Sequence, residues 1–308
     1  DGSSAGEVTR QLSWVKDANA VGKRGVTPLI AAIESEDDEI ISVLLDSKKV
    51  DVNVRDAVMV LPPIVHAVRH GGGALLPLIK KGADLKVTDE AGDNVAHWAC
   101  RLNEPSAVTL LGKSSPSIFT ATDDEGNTPL HVALLEGQQE AAFAVLDPDL
   151  GLVEVLDLNS KNDLGETPLV LAVKGRMGNV VQSLIDTGKI DIDVADEDGN
   201  TALHIAVKNN MTAVERLLLA VGADGSICNK AGLTPQGLAK EAIEQIKANQ
   251  QLKEEQRHEK EERKAQKLEV EKDHSELTAF LRDHGLEELV DILFARKFKY
   301  VAEVERLT

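Results

Sequence analysis

TPLHVA at Thr128–Ala133 and TALHIA at Thr201–Ala206 are two copies of one six-residue phrase. Weaker copies stand at Thr27 (TPLIAA), Pro62 (PPIVHA), Asn94 (NVAHWA), Thr167 (TPLVLA) and Thr234 (TPQGLA). Their second positions, Pro28, Pro63, Val95, Pro129, Pro168, Ala202 and Pro235, are separated by 35, 32, 34, 39, 34 and 33 residues. A repeat of that length marks a solenoid, in which each unit is one supersecondary element that buries its apolar face only by stacking on its neighbours.

The phrase has a physical reading. Thr can cap free amides at a helix start, and Pro fits the first turn, where its missing N–H costs nothing. Small residues such as Ala133, Ala172 and Ala206 allow close helix approach, and the pairs Leu44-Leu45 and Leu217-Leu218 supply core volume. A Gly precedes five copies, at Gly92, Gly126, Gly165, Gly199 and Gly232, where a turn needs a backbone angle that a Cβ disfavours.

From Gly22 to Lys240 the pattern resembles the ankyrin repeat family, including the closing phrases Gly82-Ala83-Asp84 and Gly222-Ala223-Asp224. The resemblance implies units made of a hairpin turn, two short antiparallel helices and a loop. The expected fold class is all-α: an ankyrin-repeat helical solenoid of about seven units with β-hairpin turns, followed by a long charged helix and a short helical C-terminal segment. The expected divisions are an N-terminal capping helix (1–21), the repeats (22–240), a charged spacer helix (241–274) and a C-terminal segment (275–308).

Val8, Leu12 and Val15 have helical spacing with Trp14 beside them, which fits a cap on the exposed end of the stack. The longer fourth unit carries Asp147-Pro148-Asp149, and its extra residues are expected to project as a loop. Ala239 to Asp273 lacks Gly and Pro and is dense in charge, with Glu259/Arg263 and Lys267/Glu271 four apart. This favours one helix stabilised by its own surface pairs rather than a coiled coil, because its apolar residues sustain no heptad. The last segment, with Phe280-Leu281, Gly285-Leu286, Phe294 and Phe298, is similar to the first half of a sterile alpha motif domain. That resemblance implies self-association or hetero-association. The alternative is a helical pair folded back on the rest of the chain.

Catalysis finds no candidate: the chain has no phosphate-cradling loop and no nucleophile elbow, and no cofactor or metal is expected. His97, His131 and His204 share one place in the phrase, where the family resemblance implies an imidazole that ties adjacent hairpins together. Cys100 and Cys228 lack metal spacing and read as buried small apolar residues. No apolar run approaches a membrane span, so no membrane insertion is expected, and the cytoplasm or nucleus is the expected compartment.

Charge is more informative. The chain carries 34 basic and 52 acidic residues, and the part before Leu238 holds 20 against 35, a net charge of −15. Such a field repels nucleic acid and speeds encounter with a basic partner. On the family pattern the hairpin tips contribute Asp89, Glu90, Asp123, Asp124, Glu125, Asp163, Glu197 and Asp198, and the inner-helix ends contribute Arg69, Arg101, Lys174 and Lys208. Either these rows satisfy one another through water, or they meet a protein partner bearing a basic or mixed-charge segment.

One tip differs. Ala57-Val58-Met59-Val60-Leu61 is apolar and lacks Gly, so Val58, Met59 and Leu61 are expected either to anchor a partner or to tuck against the first unit. Trp98 occupies a slot usually filled by a core aliphatic. Asn53, in a Val-Asp-Val-Asn context eight residues after Leu45, is similar to asparagine hydroxylation sites of ankyrin repeats. The expected function is a non-enzymatic interaction scaffold or adaptor. The alternative is the regulatory or targeting portion of a larger enzyme.

Overall fold

The computed structural model describes residues 17–283 and 285–290, together with Gly6 and Ile292. Six helix pairs follow in order: α1 (Pro28–Glu34) and α2 (Asp38–Asp46), α3 (Pro63–Arg69) and α4 (Leu75–Lys81), α5 (Val95–Arg101) and α6 (Pro105–Ser114), α7 (Pro129–Leu135) and α8 (Gln139–Leu146), α9 (Pro168–Lys174) and α10 (Gly178–Asp186), α11 (Ala202–Lys208) and α12 (Thr212–Ala220). The first helix of each pair packs on the first helix of the next pair, and each second helix packs on the next second helix. The described residues contain no β-strand, and the repeat solenoid is all-helical as expected.

Each phrase forms an inner helix for the reasons its residues dictate. The hydroxyls of Thr27 and Thr167 accept hydrogen bonds from the amides of Ile30 and Val170 at 3.2 and 3.3 Å. Pro stands in the first turn behind both caps. The closing alanines Ala32, Ala67, Ala99, Ala133, Ala172 and Ala206 are at most 3% exposed, so the helices meet where the side chain is smallest. Between the two helices of a unit one residue turns left-handed: Glu36, Asn103, Arg176 and Asn210 have φ of 53–57°. In the second unit this turn is built by Gly71 and Gly72.

The hairpins are present without strands. Each tip closes on itself, as in Asp123 N–H to Asn127 O at 2.9 Å and Asp196 N–H to Asn200 O at 2.9 Å. Successive tips are also joined by single backbone bonds: Asp124 N–H to Ala91 O at 3.0 Å, Asp163 N–H to Glu125 O at 2.9 Å, and Lys230 N–H to Asp198 O at 2.9 Å. This approach explains Gly92, Gly126, Gly165 and Gly199, whereas Gly232 has open space around it and serves only its φ of +76°. A Cβ on Gly126, whose φ is +75°, would lie 2.6 Å from Asp163 Oδ1.

His97, His131 and His204 are fully buried. Their Nε2 atoms contact the next tip, at Asn127 O (3.0 Å), Ser160 O (3.2 Å) and Leu233 O (3.1 Å). Their Nδ1 atoms accept from the amides of Asn94, Thr128 and Thr201 at 3.1, 3.3 and 3.2 Å. With Nδ1 accepting, the proton sits on Nε2 and donates to the neighbouring unit's carbonyl. Burial lowers the pKa of His97 and of His131, which keeps the neutral ring in place.

The fourth unit departs from the expectation of a projecting loop. After α8 the chain makes two 3-10 turns, Pro148–Leu150 and Leu152–Glu154. Leu152 is fully buried, and the Leu150 side chain lies against Gly112 of α6. The extra residues contain leucines that can bury, so they pack on the outer helices instead of projecting.

The seventh phrase also differs from the expected repeat. Thr234 caps Gly237 N–H at 3.2 Å, but α13 then runs unbroken from Pro235 to Asp283, with no break where the other units turn into their second helix. Its 49 residues continue past the expected boundary at 274/275 because no Gly or Pro lies between Gly237 and Gly285. Arg263 and Glu259 pair at 2.6 Å, as their spacing predicts. Gly285, with φ +72°, ends the helix: its N–H bonds Arg282 O at 3.1 Å, and Leu286 N–H bonds Leu281 O at 2.8 Å, the pattern of a Schellman cap. No helix among the described residues is long and apolar enough to cross a membrane. The capping-helix residues Val8, Leu12, Trp14 and Val15, and Phe294 and Phe298 of the C-terminal segment, lie outside the described residues. The chain divides into two compact units, Asp1–Ala239 and Lys240–Thr308.

Candidate partner-binding surface

The first residue of each hairpin tip holds that tip together. Asp123 Oδ1 accepts from the amides of Glu125 (2.9 Å) and Asn127 (2.8 Å), and Asp196 Oδ1 accepts from those of Asp198 (3.1 Å) and Asn200 (2.9 Å). Asp89 serves the third unit in the same way. These carboxylates are therefore occupied within their own tips. Asp124, Glu125, Asp163, Glu197 and Asp198 stand exposed beside them and form the outward acidic row.

The basic residues opposite divide into two kinds. Arg101 pairs with Asp93 at 2.6 Å and Glu136 at 2.8 Å. Lys174 pairs with Glu166 at 2.7 Å and Asp196 at 3.2 Å. Asp93, Glu166 and Asp196 are buried, so these two cations neutralise carboxylates at the base of the tips directly rather than through water. Burial works against the charge on Lys174, yet its hydrogen bonds to Glu166 and Asp196 hold its pKa above the usual value. Arg69 and Lys208 are exposed, and among the described residues Arg69 makes no ion pair; it contacts Met59 and Trp98.

The apolar tip contains one residue more than the next tip. Asp56 N–H bonds Leu61 O at 3.0 Å, five residues on, whereas Asp89 N–H bonds Asp93 O, four residues on. The Asp56 carboxylate accepts from the amides of Val58 (2.7 Å), Met59 and Leu61 (2.9 Å) and pairs with His66 Nε2 at 2.9 Å. Burial pushes the Asp56 carboxyl up, but its hydrogen bonds with His66, Met59, Leu61 and Val58 outweigh this and hold its pKa near about 2. The extra residue turns Val58 (71% exposed), Met59 (45%) and Val60 (38%) outward, while Leu61 is 1% exposed. Leu61 is thus a core residue, and its expected place on a partner surface is corrected. Val58 also packs over Gly25 of the first unit, so the tip is both anchored inward and presented outward.

Trp98 belongs to this surface and is only half-buried. Its Nε1–H donates to Asp89 Oδ2 at 2.9 Å, and the Arg69 guanidinium stands 5.7 Å from its ring centre. Arg69 Nη1 in turn lies 2.9 Å from Met59 Sδ. Met59, Arg69 and Trp98 therefore form one continuous patch across the second and third units. A sequence reading that treats Trp98 as filling a core slot misses this; the Asp nine positions before it, at the start of its own tip, is the available signal. Leu164 (62% exposed) adds a second apolar point beside Asp163. Cys100 is buried, which pushes its thiol pKa up, whereas Cys228 is exposed, against the expectation that both are internal. Asn53 is exposed, and its Oδ1 accepts the Asp84 N–H of the next unit at 2.8 Å.

Comparison with known proteins agrees with this architecture. The family described as ankyrin repeats (3 copies) matches residues 64–152 and 143–229, and a single ankyrin repeat matches residues 24–57. Over 214 residues the chain is 32% identical to neurogenic locus notch homolog protein 2 of Homo sapiens, covering 64% of this chain and 8% of that protein. Over 169 residues it is 30% identical to transient receptor potential cation channel subfamily A member 1 of Homo sapiens, covering 54% of this chain and 15% of that protein. The chain thus spans a small part of the curated relatives it matches. The crystal structure of the ankyrin repeat domain of Bcl-3, a member of the IkappaB family, superimposes with a TM-score of 0.63 at 25% identity, covering 72% of this chain and 99% of that one. Repeat spacing, tip-to-tip bonding and these matches agree, and the chain belongs to the ankyrin repeat family.

Proposed function

We propose that the chain is a non-enzymatic adaptor that binds a protein segment along the face formed by its hairpin tips and inner-helix ends. The observation that carries this reading is the patch of Val58, Met59, Arg69 and Trp98 beside the outward row Asp124, Glu125, Asp163, Glu197 and Asp198. A half-buried aromatic with an arginine over it is the kind of anchor that dominates binding energy, and flanking carboxylates steer a basic partner. The partner segment would carry an apolar side chain for the patch and basic residues for the row. Exposed Lys208 offers a counter-charge to an acidic residue in the same segment. Exposed Asn53 is a candidate acceptor for hydroxylation, and intact-mass analysis of natively expressed protein reads this directly.

Paired capture from cell extract tests the reading, with wild-type chain beside two variants. One carries Val58→Asp and Met59→Asp, and the other carries Asp124→Asn, Glu125→Gln, Glu197→Gln and Asp198→Asn. The first should lose its partner at every salt concentration. The second should retain it with weakened affinity and a flattened salt dependence. Equal retention by all three would place the binding surface elsewhere.

A further inference from the structure

Glu34, His66 and His70 each bring one ligand atom to within 4.8 Å of the other two. Glu34 ends α1, His66 lies in α3, and His70 follows α3 directly. The two imidazoles are four residues apart on the second unit's inner helix, and the carboxylate comes from the first unit's.

His66 is not the interlocking histidine of this fold. In the phrase at Pro62 that slot is filled by Val65, and His66 stands one place later, in the slot Trp98 fills in the next unit. Its Nε2 pairs with Asp56 Oδ2 at 2.9 Å, and the Asp56 side chain is 1% exposed. A carboxylate cannot donate, so the proton between them belongs to Nε2, and Nδ1 is the ring atom left open to a further ligand. Nδ1 is buried and has no hydrogen-bond partner. Glu34 Oε1 lies 3.7 Å from it. Nδ1 and a carboxylate oxygen thus face one another without a hydrogen bond, and a metal cation between them would be a ligand partner to both. A carboxylate behind the ring is also the feature that fixes the tautomer and raises the basicity of metal-bound histidines.

We propose that His66 through Nδ1, His70 and Glu34 form a site for a divalent transition-metal ion of the zinc class. Two imidazoles and one carboxylate suit Zn²⁺, Co²⁺ or Ni²⁺ and do not suit Ca²⁺ or Mg²⁺, which take oxygen ligands. Tetrahedral ligation at about 2.0–2.1 Å sets ligand atoms roughly 3.3 Å apart. His66 is held by Asp56, so closure falls to Glu34 and His70, both only partly buried. Arg24 holds the other carboxylate oxygen, Oε2, at 3.3 Å and leaves Oε1 for the ion. Three protein ligands leave a fourth position open. The ion would cross-link the inner helices of the first two units, next to the apolar tip that Asp56 organises.

The test is titration of the metal-free chain with Co²⁺, read by the visible absorption of a tetrahedral centre and followed by competition with Zn²⁺. The expected result is one equivalent per chain. His70→Ala and Glu34→Gln should each weaken binding by at least about tenfold. These side chains are only partly buried, so circular dichroism should match wild type, which His66→Ala would not guarantee. His258→Ala is the control, because His258 faces Glu262 at 3.2 Å on α13 and is an ordinary surface pair. No stoichiometric binding, binding that survives both site variants, or binding lost with His258→Ala would overturn the assignment.

Discussion

Arg69 places its guanidinium 5.7 Å from the centre of the Trp98 ring, joining the second unit's inner helix to the third's. An exposed arginine over a half-buried indole contributes only about 0.5–1 kcal/mol to stability. Arg69→Ala should therefore leave the thermal midpoint within a few degrees of wild type while lowering partner affinity by about tenfold or more, whereas Trp98→Ala, which also removes packing against the core and the hydrogen bond to Asp89, should lower both. Isothermal titration with the captured partner checks this, and unchanged affinity in both variants would remove the patch from the binding surface.

Asp56 makes the stability of the first units depend on acid. Its native pKa, about 2, lies below the ordinary value of 3.8. The contribution is complete above the unfolded value and is lost as pH falls from about 4 towards about 2. Its size is on the order of 2 kcal/mol. Urea unfolding across that range should lose this increment in wild type and show a correspondingly shallower slope in Asp56→Asn.

Val60 is a β-branched residue with φ +56°, a conformation that costs roughly 1–3 kcal/mol. Glycine removes that strain but costs about 0.5–1 kcal/mol in unfolded-chain entropy. Val60→Gly should stabilise the chain by about 1 kcal/mol, read as a higher urea midpoint at unchanged slope. A lower midpoint would show that the Val60 side chain is needed where it stands.

Gly126 and Gly71 separate two reasons for a glycine. Both have positive φ, but a Cβ at Gly71 would meet nothing within 4 Å, whereas one at Gly126 would meet Asp163 Oδ1 at 2.6 Å and Asp163 N at 3.1 Å. Gly71→Ala should cost about 1–2 kcal/mol from the backbone alone. Gly126→Ala should cost at least about 1 kcal/mol more, because two tips must separate. Equal losses would mean that the tips yield freely.

His204 bonds Leu233 O at 3.1 Å and Thr201 N–H at 3.2 Å, which makes it the clasp between the sixth unit and the start of the seventh. His204→Ala breaks both bonds and leaves a cavity, so a loss of about 2–4 kcal/mol is expected by chemical denaturation. A loss below about 1 kcal/mol would contradict its role as the clasp.

The repeats were legible because period, cap and core coincide in one phrase. Thr128, Pro129, His131 and Ala133 each have a local reason for their place, and each holds it in three dimensions. The tips were less legible. A single extra residue between Asp56 and Leu61 decides which side chains face inward, and composition cannot register it. Lys174 finds Asp196 across 22 residues of chain, a contact set by stacking rather than by spacing. His66 stands one place beyond the slot of the phrase's histidine, and the phrase does not register that Glu34 of the preceding unit lies beside it and His70. The seventh phrase carries a good helix start, but only the absence of any breaker before Gly285 shows that its helix runs on instead of turning after seven residues.

Site-specific photo-crosslinking tests the central claim most directly. A photoreactive residue is placed in turn at Val58, Asp124 and Lys208, on the tips and inner-helix ends, and at Phe143 and Leu219, which are exposed on α8 and α12. The account predicts that the first three positions crosslink to one common polypeptide and the last two do not. Crosslinks confined to Phe143 and Leu219 would contradict it.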